Sequence, residues 1–173
     1  GASTVRAFAH QHTMVALLDI DEFDAKKLAS EIKEGGTRAI AVHTDVTDEQ
    51  SVTAALARVA EEFGGIDILI NSAGGYGKLT SVEELPLDDW DKTVALNMRG
   101  TFLMCKHAIP YLKKSKAGRI INVSSISGRT LFGSTSPAYA ASKAGVIQLT
   151  RFLAIELGPS GITSNSIAPI TTL

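Results

Sequence analysis

The sequence predicts an α/β fold, in which a doubly wound parallel sheet carries helices on both of its faces. Apolar runs of strand length alternate with longer amphipathic segments along the 173 residues, and this alternation is typical of strand–helix–strand units. Several of the apolar runs are continuous, as buried parallel strands are, and end in acidic or small polar residues. No internal repeat, low-complexity tract or linker interrupts the pattern. A single domain over residues 1–173 is therefore expected.

The first half of the chain predicts three strands and two helices. Residues 13–21 are a strand, because the run TMVALLDID stays apolar until its acidic end. Residues 25–36 predict a helix that stops at a glycine pair, and residues 38–46 predict the next strand. Residues 47–65 are a helix, since acids precede a series of apolar residues at helical spacing. Residues 66–74 form a strand that runs into a turn of small residues.

The second half continues the alternation. Residues 88–115 predict a long, mostly apolar helix, and Gly100 or Pro110 is expected to bend it. The elements that follow are a strand, a helix that ends at a Gly-Pro pair, and a last strand, at residues 118–128, 137–158 and 161–169.

The charge balance and the cysteine content exclude several classes of function. Lys and Arg total 17 and Asp and Glu total 18, so the charge does not favour nucleic acid or an anionic membrane surface as a partner. Cys105 is the only cysteine and the four histidines are scattered, so neither a disulfide nor a metal site is expected. There is no apolar run of roughly 18 residues and no signal-peptide pattern. A cytoplasmic protein is expected.

Small and polar residues gather at the carboxyl ends of the predicted strands. In open parallel sheets, ligands bind beyond these ends. Short loops use such residues for conformational reasons as well, so the pattern alone is equally compatible with plain loops. The positions concerned are Asp19, Asp45, residues 71–74, Ser124 with Ser125, and residues 168–169.

Tyr139 and Lys143 stand four residues apart in the segment YAASK, which places them on adjacent turns of a helix. Such a pair is common on helix surfaces and alone indicates no function. A free phenol, with a pKa of about 10, is a poor catalyst at neutral pH, but a neighbouring ammonium stabilises the phenolate. A phenol so assisted can exchange a proton with a hydroxyl or carbonyl oxygen. Hydride transfer between a secondary alcohol and a nicotinamide requires that exchange.

Two further positions agree with this chemistry. Ser124 and Ser125 end the strand that precedes the helix of Tyr139, and a hydroxyl there could hold a substrate oxygen. Asn97 lies inside an apolar helix, where asparagine is unfavourable. Asn97 is equally interpreted as a residue that kinks the helix, and that interpretation is compatible with a function.

The chain resembles the short-chain dehydrogenase/reductase family in its common soluble form. The resemblance rests on five motifs in the family's order and approximate spacing, which together cover almost the whole chain. In place of the usual NNAG, this sequence has NSAG. The motifs are NSAG at 71–74, NMRG at 97–100, INVSS at 121–125, YAASK at 139–143 and NSIAP at 165–169.

The resemblance implies a Rossmann-like domain that interconverts a secondary alcohol and a ketone with a nicotinamide dinucleotide. It assigns Tyr139 as the general acid/base, and Lys143 as the residue that assists the phenol and binds the nicotinamide ribose. Ser125 orients the substrate oxygen, and it is preferred to Ser124 because it stands three residues before Gly128. Asn97 holds a water that connects the lysine to solvent. A homotetramer, or a homodimer, is expected, assembled partly through the two long helices.

For the cofactor, Asp19 predicts NAD(H) in preference to NADP(H). A carboxylate at this strand end can accept hydrogen bonds from the adenosine ribose and repels a 2′-phosphate, and no arginine is near to offset that repulsion. The alternative is that Asp19 caps the next helix, but Asp21 and Asp24 are better placed for a cap. The full set of expected cofactor contacts is Gly1, Asp19, Ile20, Asp45, Val46, Asn71, Ala73, Gly74, Tyr139, Lys143 and Pro169.

The resemblance also implies segments that this sequence lacks. The family opens with a strand and a glycine-rich turn that cradles a pyrophosphate, whereas this chain opens with GASTVRAFAH. Gly1 to Ser3 resemble the start of that turn, and about six residues are expected to be missing between Ser3 and Thr4. The central first strand and a C-terminal lid beyond Ile170 are expected as well, in a polypeptide of roughly 250 residues.

Several alternatives stay open at this stage. A 3-oxoacyl-carrier-protein reductase would favour NADPH, and Asp19 argues against it. Sugar, polyol, acetoin/butanediol and steroid dehydrogenases are not distinguished. A catalytically silent dinucleotide-binding scaffold would have little need for all four proposed catalytic residues. Residues 133–137 are interpreted either as one wall of the substrate pocket or as a plain loop.

Overall fold

The computed structural model describes residues 1–130 and 135–170. The predicted alternation of strands and helices is confirmed, although most elements are shorter than their predicted ranges. The strands are β1 Val15–Asp19, β2 Ala39–His43, β3 Ile68–Asn71, β4 Arg119–Val123 and β5 Thr163–Ile167. The helices are α1 Ala2–His10, α2 Glu22–Glu34, α3 Glu49–Phe63, α4 Leu87–Val94, α5 Gly100–Leu112 and α6 Pro137–Leu157.

All strand pairs are parallel, but the sheet is in two pieces. β1 pairs with β2, and β3, β4 and β5 form a second sheet in that order. The free edges of β1 and β3 both line one cavity of about 1450 Å³. This gap agrees with the expectation that a central strand is lacking, which stays a prediction. Ser3 and Thr4 are consecutive residues of α1, and the expected missing residues between them also stay a prediction.

Two apolar cores hold the layers together. The larger one joins α3, α5 and α6 to β3 and β4, with Val52, Ala108, Ile120 and Leu157 almost fully buried. The smaller one packs α2 against β1 and β2 through alanines and Ile32. Burial of these side chains is the main stabilising contribution to the α/β arrangement, and it fixes the strand ends at one edge of each sheet.

Side-chain caps determine where two of the helices begin. The Asp21 carboxylate accepts a hydrogen bond from the Asp24 amide at 3.0 Å, so α2 starts three residues before its predicted first residue. Asp48 accepts bonds from the amides of Gln50 and Ser51 and starts α3 in the same way. Asp21, and not Asp19, is thus the capping residue.

The long helix predicted at residues 88–115 is interrupted. A π-helical turn, Ala95–Arg99, separates α4 from α5 and ends directly before Gly100, whereas Pro110 is accommodated inside α5. Gly100 packs so closely on Val46 that a Cβ there would lie 2.9 Å from its side chain. In the described parts of the chain, no helix combines the length and apolar character that crossing a membrane requires.

Candidate active site

Tyr139 and Lys143 lie on the first two turns of α6, which begins at Pro137. Both side chains are buried, and Lys143 Nζ lies 5.6 Å from the centre of the Tyr139 ring. The ammonium donates a hydrogen bond to the carbonyl oxygen of Val123, the last residue of β4, at 2.8 Å. Burial lowers the pKa of Lys143 from its ordinary value. The Val123 carbonyl therefore replaces part of the hydration that the Lys143 ammonium loses on burial.

The two serines after β4 have different surroundings. The Ser124 hydroxyl donates to the main-chain carbonyl of Lys143 at 2.8 Å, so it fastens α6 to the end of β4. The Ser125 hydroxyl accepts a bond from the Ser127 amide at 3.2 Å. Because Ser125 Oγ is the acceptor in this bond, its hydrogen can still be donated to a substrate oxygen. This difference supports the preference for Ser125.

Asn97 sits in the π-helical turn and is fully buried. Its side-chain amide donates to the carbonyls of Gly75 and Thr93 at 2.8 and 2.9 Å, and its Oδ1 accepts from the Gly75 amide at 3.2 Å. π-Helical turns are frequent at functional sites. In this structure the Asn97 side chain holds the loop after β3, and its expected water-binding role stays a prediction.

Gly74 lies between the large cavity and the side chains of Asn97 and Lys143, and it is part of the cavity wall. A Cβ at Gly74 would lie 2.7 Å from Asn97 Oδ1 and 3.3 Å from Lys143 Nζ. The main chain thus passes directly beside the lysine because residue 74 has no side chain. Gly74 is therefore a cavity residue whose main chain adjoins Lys143.

The cavity brings together most of the expected cofactor contacts. Asp19 is exposed at the end of β1, where its Oδ1 accepts a hydrogen bond from the Asp21 amide at 3.0 Å. A carboxylate has a second oxygen, which is available to a ligand. The cavity wall includes these predicted residues: Gly1, Asp19, Ile20, Asp45, Val46, Asn71, Ala73 and Gly74.

Two of these side chains, those of Asp45 and Asn71, form hydrogen bonds within the protein. Asp45 Oδ1 accepts bonds from the hydroxyl and the amide of Thr47, and the hydroxyl bond is the main reason why the pKa of Asp45 is lowered. The Asn71 amide nitrogen donates to Asn122 Oδ1 at 2.8 Å and to Cys105 Sγ at 3.2 Å. Burial raises the pKa of Cys105 to about 12, so its thiol stays neutral.

Tyr139 and Lys143 are not part of the cavity wall, and neither is Pro169. The Pro169 carbonyl oxygen accepts a bond from the Ile126 amide at 3.0 Å. The structure therefore places it beside the Ser125 turn, at the end of β5. Of the predicted loop 133–137, residues 133 and 134 lie outside the described residues. Within the described ranges, no group of three or more His, Cys, Asp or Glu side chains could hold a metal ion.

Tyr76 lies beside the candidate site and was not among the residues that the sequence predicted. Its ring centre lies 4.9 Å from that of Tyr139, with the two planes tilted by 40°. The available signal was an aromatic residue directly after the small residues 72–75, in the loop that follows β3. Aromatic residues in loops are too common for that signal to be decisive.

Gly128 allows the Ser125 turn to approach α6. A Cβ at this position would lie 2.5 Å from the Lys143 carbonyl carbon and 2.7 Å from the Ala144 nitrogen, which are backbone atoms that cannot move aside alone. Gly128→Ala should lower the free energy of unfolding by about 1–3 kcal/mol. It should also lower kcat/KM about tenfold to 100-fold by displacing Ser125 or Lys143.

Urea unfolding and steady-state kinetics measure the two effects of Gly128→Ala. Gly158→Ala is the matched control, because a Cβ at Gly158 meets no atom within 4 Å and the residue already has helical angles. Equal free energies of unfolding and equal kcat/KM values in the two variants would contradict the close packing at Gly128.

The comparisons with known proteins agree with this geometry. A family model described as short chain dehydrogenase matches residues 1–173. The chain belongs to the short-chain dehydrogenase/reductase family. A curated relative in the family, D-threitol dehydrogenase of Mycolicibacterium smegmatis, is 40% identical over 175 residues, which cover 100% of this chain and 66% of the relative. This short-chain dehydrogenase thus spans about two thirds of that relative's length.

Solved structures of short-chain dehydrogenases have the same fold. A 3-ketoacyl-ACP reductase from Sinorhizobium meliloti superposes with a TM-score of 0.95 at 34% identity, covering 100% of this chain and 71% of that one. A xylitol dehydrogenase with bound NAD+ superposes with a TM-score of 0.91 at 33% identity, covering 97% of this chain and 64% of that one. The predicted family and the predicted Rossmann-like α/β fold are confirmed.

Proposed function

We propose that the whole protein is an NAD(H)-dependent oxidoreductase that interconverts a secondary alcohol and a ketone. The observation that carries the proposal is the juxtaposition of Tyr139 and the buried Lys143 with bare backbone at Gly74, at the margin of a cavity of about 1450 Å³. An extended dinucleotide would lie along the strand ends of this cavity, between the carboxylate of Asp19 and the backbone at Gly74. The part of the cavity between the edges of β1 and β3 is the gap that the further strand proposed below would occupy. The bound nicotinamide would supply the hydride acceptor or donor.

The chain's own residues would orient the substrate oxygen and exchange its proton. Ser125 donates its hydroxyl hydrogen to that oxygen and orients it. In oxidation the Tyr139 phenolate takes the proton from the alcohol oxygen, and in reduction the Tyr139 phenol gives the proton to the carbonyl oxygen. The Lys143 ammonium stabilises the phenolate form of Tyr139 in both directions. Val123 holds the ammonium through its carbonyl, and Asn97 keeps the Gly75 loop beside it.

The test of this function is dinucleotide reduction by the full-length protein. NAD+ and NADP+ would each be supplied with a panel of polyols, sugars, hydroxy acids, acetoin/butanediol and hydroxysteroids, and NAD(P)H formation would be recorded. Turnover with NAD+ on one class supports the proposal and names the substrate class. A lack of turnover with every alcohol and both dinucleotides would favour the silent scaffold, for which dinucleotide titration would show binding alone.

Asp19 is proposed to select NAD+ over NADP+. Asp19→Asn keeps the shape and removes the charge, so it should reduce the ratio of kcat/KM for NAD+ to that for NADP+ by about tenfold or more, as expected for hydrogen bonds to a charged group. Asp91→Asn, at an exposed position of α4 outside the cavity wall, removes an equal charge and should leave the ratio unchanged. Wild-type turnover with NADP+ alone would refute this role of Asp19.

The second candidate function is an NADPH-dependent 3-oxoacyl-carrier-protein reductase. Similarity to the Sinorhizobium meliloti reductase favours it, whereas the exposed carboxylate of Asp19 disfavours a 2′-phosphate. Reduction of an acetoacetyl thioester with NADPH, faster than any alcohol oxidation with NAD+, would establish this candidate in place of the first.

We further propose a homotetramer, or a homodimer, in the cytoplasm. The long helices α5 and α6 carry exposed apolar residues, among them Phe102, Phe152 and Ile155, the last 81% exposed. Surfaces of this kind are typical of subunit contacts. Sedimentation velocity of the full-length protein would reveal the number of subunits, and cell fractionation its location.

We also propose that a further parallel strand lies between β1 and β3 in the whole protein. Two strand edges facing one cavity leave backbone groups unpaired, and such groups normally pair inside a protein. A full-length polypeptide longer than 173 residues, whose β1 and β3 amides resist hydrogen exchange, would support this proposal. Rapid exchange of both edges would contradict it.

A further inference from the structure

An exposed aromatic ring lies against the proposed catalytic phenol. The Tyr76 ring centre is 4.9 Å from that of Tyr139, within the usual range for an aromatic pair. Tyr139 is only 8% exposed, but Tyr76 is 71% exposed. Tyr76 therefore covers part of the phenol and presents most of its own surface to the space beside it.

The backbone holds Tyr76 on both sides. The amide and the carbonyl of the preceding Gly75 are bonded to the buried side chain of Asn97. The following Gly77 has a φ of +68°, a conformation that favours glycine. A Cβ at Gly77 would lie 2.5 Å from Thr93 Oγ1 and 3.1 Å from Ser136 Oγ, so the chain is also closely packed there.

A ring whose backbone is held but whose surface is mostly exposed gains little of the stabilisation that burial of an aromatic side chain provides. Another molecule that covers the ring would therefore gain binding free energy from burying its surface. At this position that molecule would be the substrate, because Tyr139 exchanges its proton with the substrate oxygen under the proposed function. The position of Tyr76 beside the phenol is thus suited to contact the carbon atoms next to the reacting carbon.

We propose that Tyr76 is a specificity-determining residue that contacts the substrate and favours secondary alcohols whose neighbouring carbons are apolar, alicyclic alcohols in particular. This proposal rests on the proposed function. An alicyclic face buries C–H groups against the ring. A polyol would have to remove hydroxyls from water against the face of the ring, which offers those hydroxyls no strong hydrogen bond, and this is unfavourable.

The experiment compares two secondary alcohols in the full-length enzyme, cyclohexanol and 2,3-butanediol. Tyr76→Ala should lower kcat/KM for cyclohexanol about tenfold, mainly through KM, and that for 2,3-butanediol less than threefold. Tyr76→Phe keeps the ring and should restore near wild-type values. Val82→Ala truncates another exposed apolar residue of the same loop and should change neither substrate. The pH profile of kcat should be the same in all variants.

Two results would overturn the proposal. Equal losses for both alcohols, located in kcat, would show that Tyr76 acts through Tyr139 and not on the substrate. Unchanged kinetics in Tyr76→Ala would show that the ring touches no substrate. Failure of the proposed function is different, since the wild-type protein would then oxidise no alcohol in the panel with either dinucleotide.

A binding measurement keeps the inference testable without turnover. Cyclohexanol would be titrated into the enzyme with NADH present, and the change in NADH fluorescence would report the ternary complex. A tenfold weaker affinity in Tyr76→Ala, with Tyr76→Phe unchanged, supports the substrate contact. Equal affinities in the two variants, or no cyclohexanol binding by the wild-type protein, would overturn it.

Discussion

Replacement of Tyr139 by phenylalanine is expected to reduce kcat by about 100-fold to 10,000-fold, the range that general acid–base catalysis contributes. The variant removes one oxygen and keeps the ring that contacts Tyr76. NADH affinity should stay within about threefold of the wild-type value, because tenfold corresponds to about 1.4 kcal/mol and only one hydroxyl is lost. Steady-state alcohol oxidation measures the first effect, and fluorescence titration with NADH measures the second.

Tyr111→Phe is the matched control for this variant. Tyr111 lies near the end of α5, half-buried beside the large core. It lines the cavity, but it takes no part in the proposed proton transfer. Its variant should retain wild-type turnover. Unchanged turnover in Tyr139→Phe would refute the acid/base role, and loss of NADH binding together with turnover would indicate a structural role instead.

Replacement of Lys143 by methionine should have opposite effects on activity and stability. Turnover should fall about 100-fold or more, as when a preorganised electrostatic partner is removed from a reacting group. The free energy of unfolding at neutral pH should increase, because methionine of similar length avoids the desolvation of a buried ammonium. Kinetics and thermal unfolding of the two proteins measure both effects.

The pH dependence of stability gives a second readout for Lys143. Burial lowers its pKa in the folded protein, so the unfolded chain retains a proton that the folded protein releases more easily. Wild-type stability should therefore rise with pH between the lowered pKa and the ordinary lysine pKa. Over the same interval the stability advantage of Lys143→Met should shrink.

Lys113→Met, at an exposed position after α5, is the control and should alter neither activity nor the pH dependence. A melting temperature of Lys143→Met that is lower than wild type at every pH would contradict the prediction. It would show that the bond from Lys143 to Val123 outweighs the cost of burial.

The order and type of the elements were predicted because they depend on local patterns. The continuous apolar run at β1 and the helical spacing within α3 each identify an element without knowledge of its neighbours. The interruption between α4 and α5 was expected at Gly100 or Pro110, but a π-helical turn forms just before Gly100. There Asn97 bonds to a loop 22 residues away, a contact that no local pattern contains.

The proposed catalytic residues came from motifs, since Tyr139 and Lys143 are close in sequence and remain close on one helix. Tyr76 could not be found in this way. Its contact with Tyr139 joins a loop residue to a helix residue that is 63 positions away in the chain. Only the folded backbone at Gly75 and Gly77 brings the two rings together.

By itself the sequence determined the α/β class, the succession of strands and helices, and the residues that could perform proton transfer. The tertiary structure decided which polar side chains remain available to a ligand. Asn71 bonds to Asn122, 51 residues away, and Ser124 bonds to the Lys143 carbonyl, 19 residues away, while Asp19 and Ser125 retain atoms for a ligand. The physical reason is that a buried polar group must find a hydrogen-bond partner, and that partner is chosen by the packing of distant segments.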